Sequence, residues 1–234
     1  MADLARFRNR AQAGKLLAAG IGANGVDALR RPDTIVLGLP RGGVPVAFAV
    51  AMALGLELDV LLVRKLGMPG QPEFAVGAIG SGGVQVLQPG VPGLMGVTQA
   101  QVDAIAAREL AEISRRERLY RKERQEPALA GRDVILVDDG IATGSTMLAA
   151  VQVARSRGAA RVIVAVPVAP PETLAALAPL VDELVCLAAP MNFRAVSQWY
   201  DSFDQTSDEE VQDLLEMAWR SQAIPGFPPN PKER

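Results

Sequence analysis

Two adjacent carboxylates stand between a strongly apolar stretch and a turn of small polar residues near the middle of the chain. Residues 134–147 read Val-Ile-Leu-Val-Asp-Asp-Gly-Ile-Ala-Thr-Gly-Ser-Thr-Met. Successive backbone N–H groups in such a glycine turn, leading into a helix N-terminus, form a cradle for a phosphate. The hydroxyls of Ser145 and Thr146 can donate to the same anion. This part of the segment therefore predicts a phosphate-binding site.

Asp138 and Asp139 border the predicted cradle, where they would repel a phosphate if they pointed at it. They must face something else, and ribose hydroxyls or a hydrated magnesium ion suit two adjacent carboxylates. A phosphate beside a vicinal diol describes a ribose 5-phosphate. The alternative is a plain polar turn at a strand end, which Asp-Asp-Gly favours on its own but the whole string does not.

Several other chemistries are excluded by residue type. A P-loop needs a lysine after its glycines, yet residues 38–43 are followed by Val44-Pro45, and residues 140–146 contain no lysine. No strand is followed by the Gly-x-Gly-x-x-Gly dinucleotide fingerprint. The 234 residues include no histidine, which removes Ser/His/Asp and Cys/His catalysis and nearly all zinc sites. Carboxylates, Arg, Lys, hydroxyls and backbone groups remain.

Composition predicts one main domain in a reducing compartment. With 49% hydrophobic residues the chain can build one well-buried core, which we place at residues 1–220, with a disordered tail over 221–234. The net charge of -2 gives no general attraction to nucleic acid. The single cysteine, Cys186, lies among apolar residues and indicates a packed thiol. No stretch reaches the length of a membrane span, so we expect a cytoplasmic protein with no membrane partner.

Strand-like and helix-like segments alternate in the rhythm of a parallel α/β sheet. The predicted strands are residues 34–39, 58–63, 134–137, 162–167 and 183–187. The predicted helices are residues 7–19, 45–54, 98–126, 146–157, 171–177 and about 207–220. We therefore predict a Rossmann-like, open parallel sheet of about five strands flanked by helices.

Ligands of open parallel sheets bind beyond the carboxyl ends of the strands. Three such ends carry polar or glycine-rich residues, at 40–43, 64–65 and 138–146. After Arg64-Lys65, the glycines and prolines of residues 66–73 predict a loop without regular structure. Residues 74–79 and 84–87 flank a Gly-Ser-Gly-Gly turn, the pattern of a hairpin.

The string at 134–147 resembles the motif that binds 5-phosphoribosyl 1-pyrophosphate (PRPP) in type I phosphoribosyltransferases. Leu39-Pro-Arg-Gly-Gly43 resembles the pyrophosphate loop of that fold, and Val63-Arg-Lys65 resembles the basic strand end before its flexible catalytic loop. Residues 7–14, 66–79 and Trp199-Tyr200 resemble more closely a family of predicted bacterial and archaeal phosphoribosyltransferases with no settled substrate. The match covers roughly residues 7–215.

The resemblance implies a magnesium-dependent enzyme that transfers ribose 5-phosphate from PRPP to a nitrogenous base and releases pyrophosphate. Asp138 and Asp139 would hold the ribose hydroxyls, and magnesium through those hydroxyls or water, so that Asp139→Asn should weaken PRPP binding with little loss of stability. The 5-phosphate would lie on Ile141, Ala142, Thr143, Gly144, Ser145 and Thr146. Pyrophosphate would lie on Arg41, Gly42, Gly43, Arg64 and Lys65, with Arg64 and Lys65 also catalytic and the Pro40–Arg41 peptide cis.

The resemblance further implies a flexible-loop hairpin that closes over the site and a small C-terminal hood, about residues 188–220, that contacts the acceptor. Candidate hood contacts are Phe193, Arg194, Trp199 and Tyr200. Ala142 stands where enzymes that use 6-oxopurines hold an aspartate, so the acceptor stays open. The fold is usually a homodimer. The alternative function is a non-catalytic PRPP sensor, since regulators also use this fold.

Overall fold

The computed structural model describes residues 6–23, 33–68, 71–87 and 96–222, with the backbone alone for 71–75. These residues form eight strands and six α-helices. The strands are β1 (Ile35–Gly38), β2 (Glu57–Val60), β3 (Val63–Met68), β4 (Gln71–Gly80), β5 (Gln85–Leu87), β6 (Asp133–Val137), β7 (Arg161–Val168) and β8 (Glu183–Ala188). The helices are α1 (Arg10–Ala23), α2 (Gly43–Leu54), α3 (Gln99–Arg121), α4 (Ser145–Ser156), α5 (Pro171–Leu177) and α6 (Asp208–Gln222).

A parallel sheet of five strands, in the order β2-β1-β6-β7-β8, forms the centre of the molecule. The predicted open parallel α/β sheet is therefore confirmed. Strands β1 and β6 are buried along their whole length, and β7 is buried except at Arg161. Strands that are covered on both faces carry continuous apolar runs, which is why these segments were recognisable in the sequence.

Helices cover both faces of this sheet. Helices α1, α2 and α6 pack on one face, and α4 and α5 pack on the other. Along β6 the side chains alternate between the two layers, so that Ile135 joins the first core and Leu136 the second. The Trp219 Nε1 group of α6 donates to the Leu58 carbonyl oxygen of β2 at 2.9 Å, which fixes the last helix to the sheet edge. Among the described residues, no helix combines the length and apolar composition that crossing a membrane requires.

A separate antiparallel sheet, β3-β4-β5, stands where an irregular loop was predicted. The prediction for residues 66–73 is wrong, because β3 runs to Met68 and β4 begins at Gln71. Leu66 and Met68 are buried in the core, and that packing stabilises the strand despite the neighbouring glycine and proline. The register shifts on both sides of Gly67, so the glycine marks an irregularity within the strand and not its end. The predicted pairing of the following strands is confirmed by β4 and β5.

The end of β2 also differs from the prediction. This strand stops at Val60, and Arg64 and Lys65 belong to β3 of the antiparallel sheet. The two basic residues therefore do not lie at a carboxyl end of the parallel sheet. At the C-terminus, α6 extends through Gln222 into the segment predicted to be disordered, and residues 223–234 of that segment lie outside the described residues.

Replacing Arg121 with alanine is expected to lower the free energy of unfolding by about 3–5 kcal/mol. The buried guanidinium donates to the Asp59 carboxylate at 2.8 Å and to the Val60 carbonyl oxygen at 2.7 Å, and so joins α3 to β2. Burial already raises the pKa of the Asp59 carboxyl. Without the Arg121 guanidinium, this carboxyl would also lose its counter-charge. Urea denaturation at neutral pH measures the loss. Arg118→Ala, an exposed position on the same helix, is the control, and equal losses in both variants would contradict the expectation.

Candidate functional site

The acid pair Asp138-Asp139 lies directly after β6, at the carboxyl edge of the parallel sheet. The Asp139 backbone N–H donates to Asp138 Oδ1 at 2.9 Å. Burial and the neighbouring Asp139 carboxyl raise the pKa of Asp138 well above its ordinary value. Burial also raises the pKa of Asp139, although Arg10 opposes that effect. Two acids held this close, half-buried, form a strong acceptor site for hydroxyl groups or a cation once both are ionised.

The predicted pyrophosphate loop, residues 39–43, packs directly against the acid pair. Its Pro40–Arg41 peptide is cis, as predicted. The Leu39 N–H donates to the Val137 carbonyl oxygen at 2.9 Å, which joins the loop to the end of β6. A Cβ added to Gly42 would lie 2.1 Å from Asp139 Oδ2, so no side chain fits between loop and carboxylate. Gly43 lies close to the end of β6, since its ideal Cβ would be 2.7 Å from the Val137 carbonyl oxygen.

The predicted phosphate cradle, residues 141–146, connects β6 to α4. Gly144 has a φ of 76°, which favours glycine, and α4 starts at the next residue. The loop is held in place by the Ile141 N–H, which donates to the Val168 carbonyl oxygen at 2.9 Å, and by Thr173 Oγ1, which donates to the Ala142 carbonyl oxygen at 2.8 Å. Thr143 Oγ1 and Ser145 Oγ lie 3.1 Å apart. The loop thus presents two hydroxyls and a helix N-terminus at one place, as anion binding requires.

Arg10 is the site residue that sequence reasoning missed. Its Nε and Nη2 atoms both lie 2.8 Å from Asp139 Oδ2, and its side chain is only 12% exposed. Arg10 lies in the Phe-Arg-Asn-Arg segment that carried the family resemblance, but nothing in the sequence connects it to Asp139. The signal that could have indicated it is the need of a buried acid pair for a counter-charge.

Arg64 and Lys65 lie side by side on β3 but in different surroundings. Arg64 Nε donates to Glu109 Oε2 of α3 at 2.9 Å, and Arg108 binds the other oxygen of Glu109. Burial opposes ionisation of Glu109, but these two arginines hold its pKa below the ordinary value. Lys65 lines both cavities that border the predicted loops. Arg64 also lines the larger cavity, so Lys65 differs from Arg64 in reaching the smaller cavity and in not being bound to Glu109.

Two cavities border the pyrophosphate loop and the phosphate cradle. The larger, about 800 Å³, has walls that include Leu39, Pro40, Lys65, Arg116 and Thr146. The smaller, about 170 Å³, lies between the antiparallel sheet and the phosphate cradle, with Thr143 to Ser145 in its wall. Neither is lined by the acid pair, which is covered by Arg10 and the pyrophosphate loop. The acid pair remains the candidate for the reacting groups, because cavity size alone does not identify them.

The four predicted acceptor contacts occupy different environments. The Tyr200 ring is buried, with ring centroids 5.5 Å from Phe7 and 5.0 Å from Phe203, and its hydroxyl donates to the Asp139 carbonyl oxygen at 2.6 Å. Tyr200 is therefore placed to hold the acid pair and not to stack on a ligand. Phe193 and Trp199 are half-buried beside this cluster, and Arg194 is exposed. The Trp199 indole N–H is buried without a partner among the described residues.

An open parallel sheet with functional loops at its carboxyl edge is the architecture of the ligand-binding α/β proteins. Within that class, residues 4–197 match the family model described as "Phosphoribosyl transferase domain". Two Mycobacterium tuberculosis proteins, from strains CDC 1551 / Oshkosh and ATCC 25618 / H37Rv and both named "Putative phosphoribosyl transferase", are 48% identical over 220 residues, or 94% of this chain and 48% of each relative. The crystal structure of TT1426 from Thermus thermophilus is similar with a TM-score of 0.81 and 47% identity, over 90% of this chain and 97% of that chain.

The chain belongs to the phosphoribosyl transferase family. It spans about half the length of the curated M. tuberculosis relatives that it matches. The resemblance inferred from the residues is therefore confirmed at the level of the family.

Proposed function

We propose that the protein is a magnesium-dependent phosphoribosyltransferase that transfers ribose 5-phosphate from PRPP to a nitrogenous base. The observation that carries the proposal is the meeting of two loops, with three binding features, at one sheet edge. Asp138-Asp139 provides acceptors for a diol, residues 141–146 provide a helix N-terminus for a phosphate, and Gly42 and Gly43 bring a second loop against the acid pair. PRPP combines these features, since it has a phosphate, a vicinal diol and a pyrophosphate on one ribose.

In this reaction the bond from ribose C1 to the pyrophosphate oxygen breaks, and pyrophosphate leaves with the electron pair. The acceptor nitrogen forms the new bond to C1 with its lone pair and releases its proton to solvent. Asp138 and Asp139 bind the 2- and 3-hydroxyls and stabilise the positive charge that develops at C1. Arg41, with the Gly42 and Gly43 amides, binds the pyrophosphate, and Lys65 and Arg64 neutralise it as it leaves. Closure of the antiparallel sheet over the site would exclude water from C1.

Magnesium fits this site as a partner of the substrate. Among the described residues no group of three or more Asp, Glu, Cys or His side chains is arranged to hold a metal ion. The acid pair offers two carboxylates, and magnesium prefers six oxygen ligands and keeps water among them. An ion bound there would take its other oxygens from PRPP and water, and would supply charge neutralisation for the pyrophosphate.

The acceptor remains open within the nitrogenous bases. Ala142, in the middle of the phosphate cradle, is exposed and has no group that could hydrogen-bond to a base through its side chain. The Tyr200 ring is enclosed by Phe7 and Phe203. The candidate acceptor contacts that remain in the hood are therefore Phe193, Trp199 and the exposed Arg194.

Lys65→Met is expected to lower kcat by about a hundredfold, comparable to the loss of one preorganised donor to a leaving oxyanion. Lys65 lines both cavities at the site, whereas Arg64 is engaged by Glu109. Arg64→Met is therefore the matched control and should have a smaller effect. Steady-state release of pyrophosphate measures both variants. A larger loss for Arg64→Met would mean that Arg64 leaves Glu109 during turnover and that this assignment is wrong.

The proposal is tested by calorimetry with PRPP and magnesium, followed by pyrophosphate release against a panel of bases. Release with one base names the acceptor, and absence of PRPP binding would eliminate the proposed function. The second candidate, a PRPP sensor without turnover, is favoured by the Arg64–Glu109 ion pair, which holds one of the two expected leaving-group cations on α3. Tight PRPP binding without release for any base would support the sensor.

A further inference from the structure

One oxygen of the Asp139 carboxylate is bound by Arg10, and the other is available to a ligand. Arg10 binds Oδ2, because its Nε–H donates to that oxygen at 2.8 Å and its Nη2 atom lies at the same distance. Among the described residues no donor reaches Asp139 Oδ1 or Asp138 Oδ2, while Asp138 Oδ1 accepts from the Asp139 backbone. The pair thus keeps one acceptor oxygen on each carboxylate, which matches the number of hydroxyls in a vicinal diol.

Arg10 is itself held rigidly. Its Nη1 donates to the Asp204 carbonyl oxygen at 2.6 Å, and its guanidinium carbon lies 3.9 Å from the centre of the Phe203 ring. The segment before α1 is fixed to the same region, because the Phe7 N–H donates to the Trp199 carbonyl oxygen at 2.8 Å and the Asp201 N–H donates back to the Phe7 carbonyl oxygen at 2.9 Å. Residues 7–10 and residues 199–204 therefore enclose Arg10 together.

We propose that Arg10 is a positioning residue of the substrate site, which holds the Asp139 carboxylate so that Oδ1 is presented to a ribose hydroxyl. The proposal rests on the proposed function for its ligand. It extends the site to the start of α1 and to the loop after β8. Arg10 acts through Asp139, and neither its position nor its role follows from the motif that contains the acid pair.

The contacts of Asp139 come from several elements. From β6 it faces Asp138, from α1 it faces Arg10, and from the hood the Tyr200 hydroxyl binds its backbone oxygen, while the pyrophosphate loop meets it with the uncharged Gly42. Of these groups, only Arg10 donates to a carboxylate oxygen of Asp139. Without Arg10 the carboxylate can turn about its last side-chain torsion, so that Oδ1 is no longer held toward a ribose hydroxyl.

The test compares the wild type with Arg10→Met, Arg10→Lys and Arg8→Met for calorimetric binding of PRPP with magnesium at one fixed pH. Arg10→Met should weaken binding about tenfold to a hundredfold, as loss of an orienting partner does in metal sites. Arg10→Lys should restore part of the affinity, since it keeps the charge. Arg8→Met, on the exposed neighbouring side chain, should match the wild type.

A folded Arg10→Met with wild-type affinity would overturn the proposal. A second measurement does not depend on PRPP. A crystal structure of Arg10→Met should show the Asp139 carboxylate turned away from its wild-type orientation, and an unchanged carboxylate would also overturn it. If Arg10→Met does not fold, Arg10→Lys must bind PRPP more weakly than Arg8→Met does, because a lysine cannot contact Asp139 Oδ2, the Asp204 carbonyl oxygen and the Phe203 ring together. Failure of the wild type to bind PRPP would reject the proposed function, and the crystal structure would then decide the role of Arg10 alone.

Discussion

Asp138→Asn is expected to lower turnover by about a hundredfold to a thousandfold and to raise the free energy of unfolding at neutral pH. The loss of turnover follows because an amide cannot stabilise the positive charge at ribose C1. The gain in stability follows because the carboxyl of Asp138 is buried beside Asp139, and both effects raise its pKa. Asparagine has nearly the same shape and can still accept from the Asp139 N–H at the position of Oδ1.

The pH dependence of stability checks the physical cause. A carboxyl with a raised pKa in the folded state binds more protons folded than unfolded, between its unfolded value near 3.8 and the raised value. The stability of the wild type should therefore fall as the pH rises through that interval. Thermal unfolding should show the advantage of Asp138→Asn appearing above about pH 4 and vanishing below it. An Asp138→Asn variant that is less stable than the wild type at pH 7 would contradict the expectation.

Asp139→Asn is the matched comparison, and here the structure changes the expectation from the sequence. The substitution was expected to leave stability nearly unchanged. However, Asp139 is the partner of the nearly buried Arg10, so its loss leaves that guanidinium without a counter-charge. We therefore expect both variants to lose turnover, but only Asp139→Asn to lose stability. A gain in stability for Asp138→Asn together with a loss for Asp139→Asn would indicate a binding site, because an ordinary polar turn gives no reason for opposite changes at adjacent acids.

Gly42→Ala is expected to reduce PRPP binding by about a hundredfold or more, since displacing a positioning loop by about an ångström can cost that much. The added Cβ would lie 2.1 Å from Oδ2 and 2.8 Å from Cγ of Asp139, far inside contact distance. Gly42 has a φ of -61°, so the backbone conformation itself tolerates alanine and the effect is purely steric. Either the pyrophosphate loop or the Asp139–Arg10 pair must move. Calorimetry with PRPP and magnesium measures the loss.

Gly22→Ala provides the control for that substitution. Gly22 lies in α1, and no atom lies within 4 Å of its ideal Cβ. Alanine there should stabilise the helix by about 0.5–1 kcal/mol and leave PRPP binding unchanged. If Gly42→Ala bound PRPP as well as Gly22→Ala does, the close approach of the loop to Asp139 would have no part in binding.

The phosphate cradle and the pyrophosphate loop could be predicted because each is a continuous segment of chain. In both, glycine and polar residues follow a buried strand, and that order determines the local turn and its direction. Strands β1 and β6 were predicted to within one or two residues for the same reason, since burial on both faces produces an unbroken apolar run.

The antiparallel sheet shows where local reasoning fails. Gly67 and the glycine and proline around it indicated a loop, yet β3 and β4 pair through this region. Leu66 and Met68 are buried in the core, and their packing outweighs the preference of Gly67 for a loop. Arg64 and Lys65 therefore belong to the first part of β3, an edge strand of the antiparallel sheet, and not to β2.

By itself the sequence determined the class of fold, the family, and the positions of the acid pair and of the two loops proposed to bind anions, because each of these depends on consecutive residues. Only the tertiary structure decided what surrounds the acid pair. Arg10 and Asp139 are 129 positions apart, and Tyr200 and Asp139 are 61 apart, so no local pattern connects them. Their meeting depends on how α1 and the loop after β8 pack on the sheet edge, where a buried acid pair stabilises the approach of a cation.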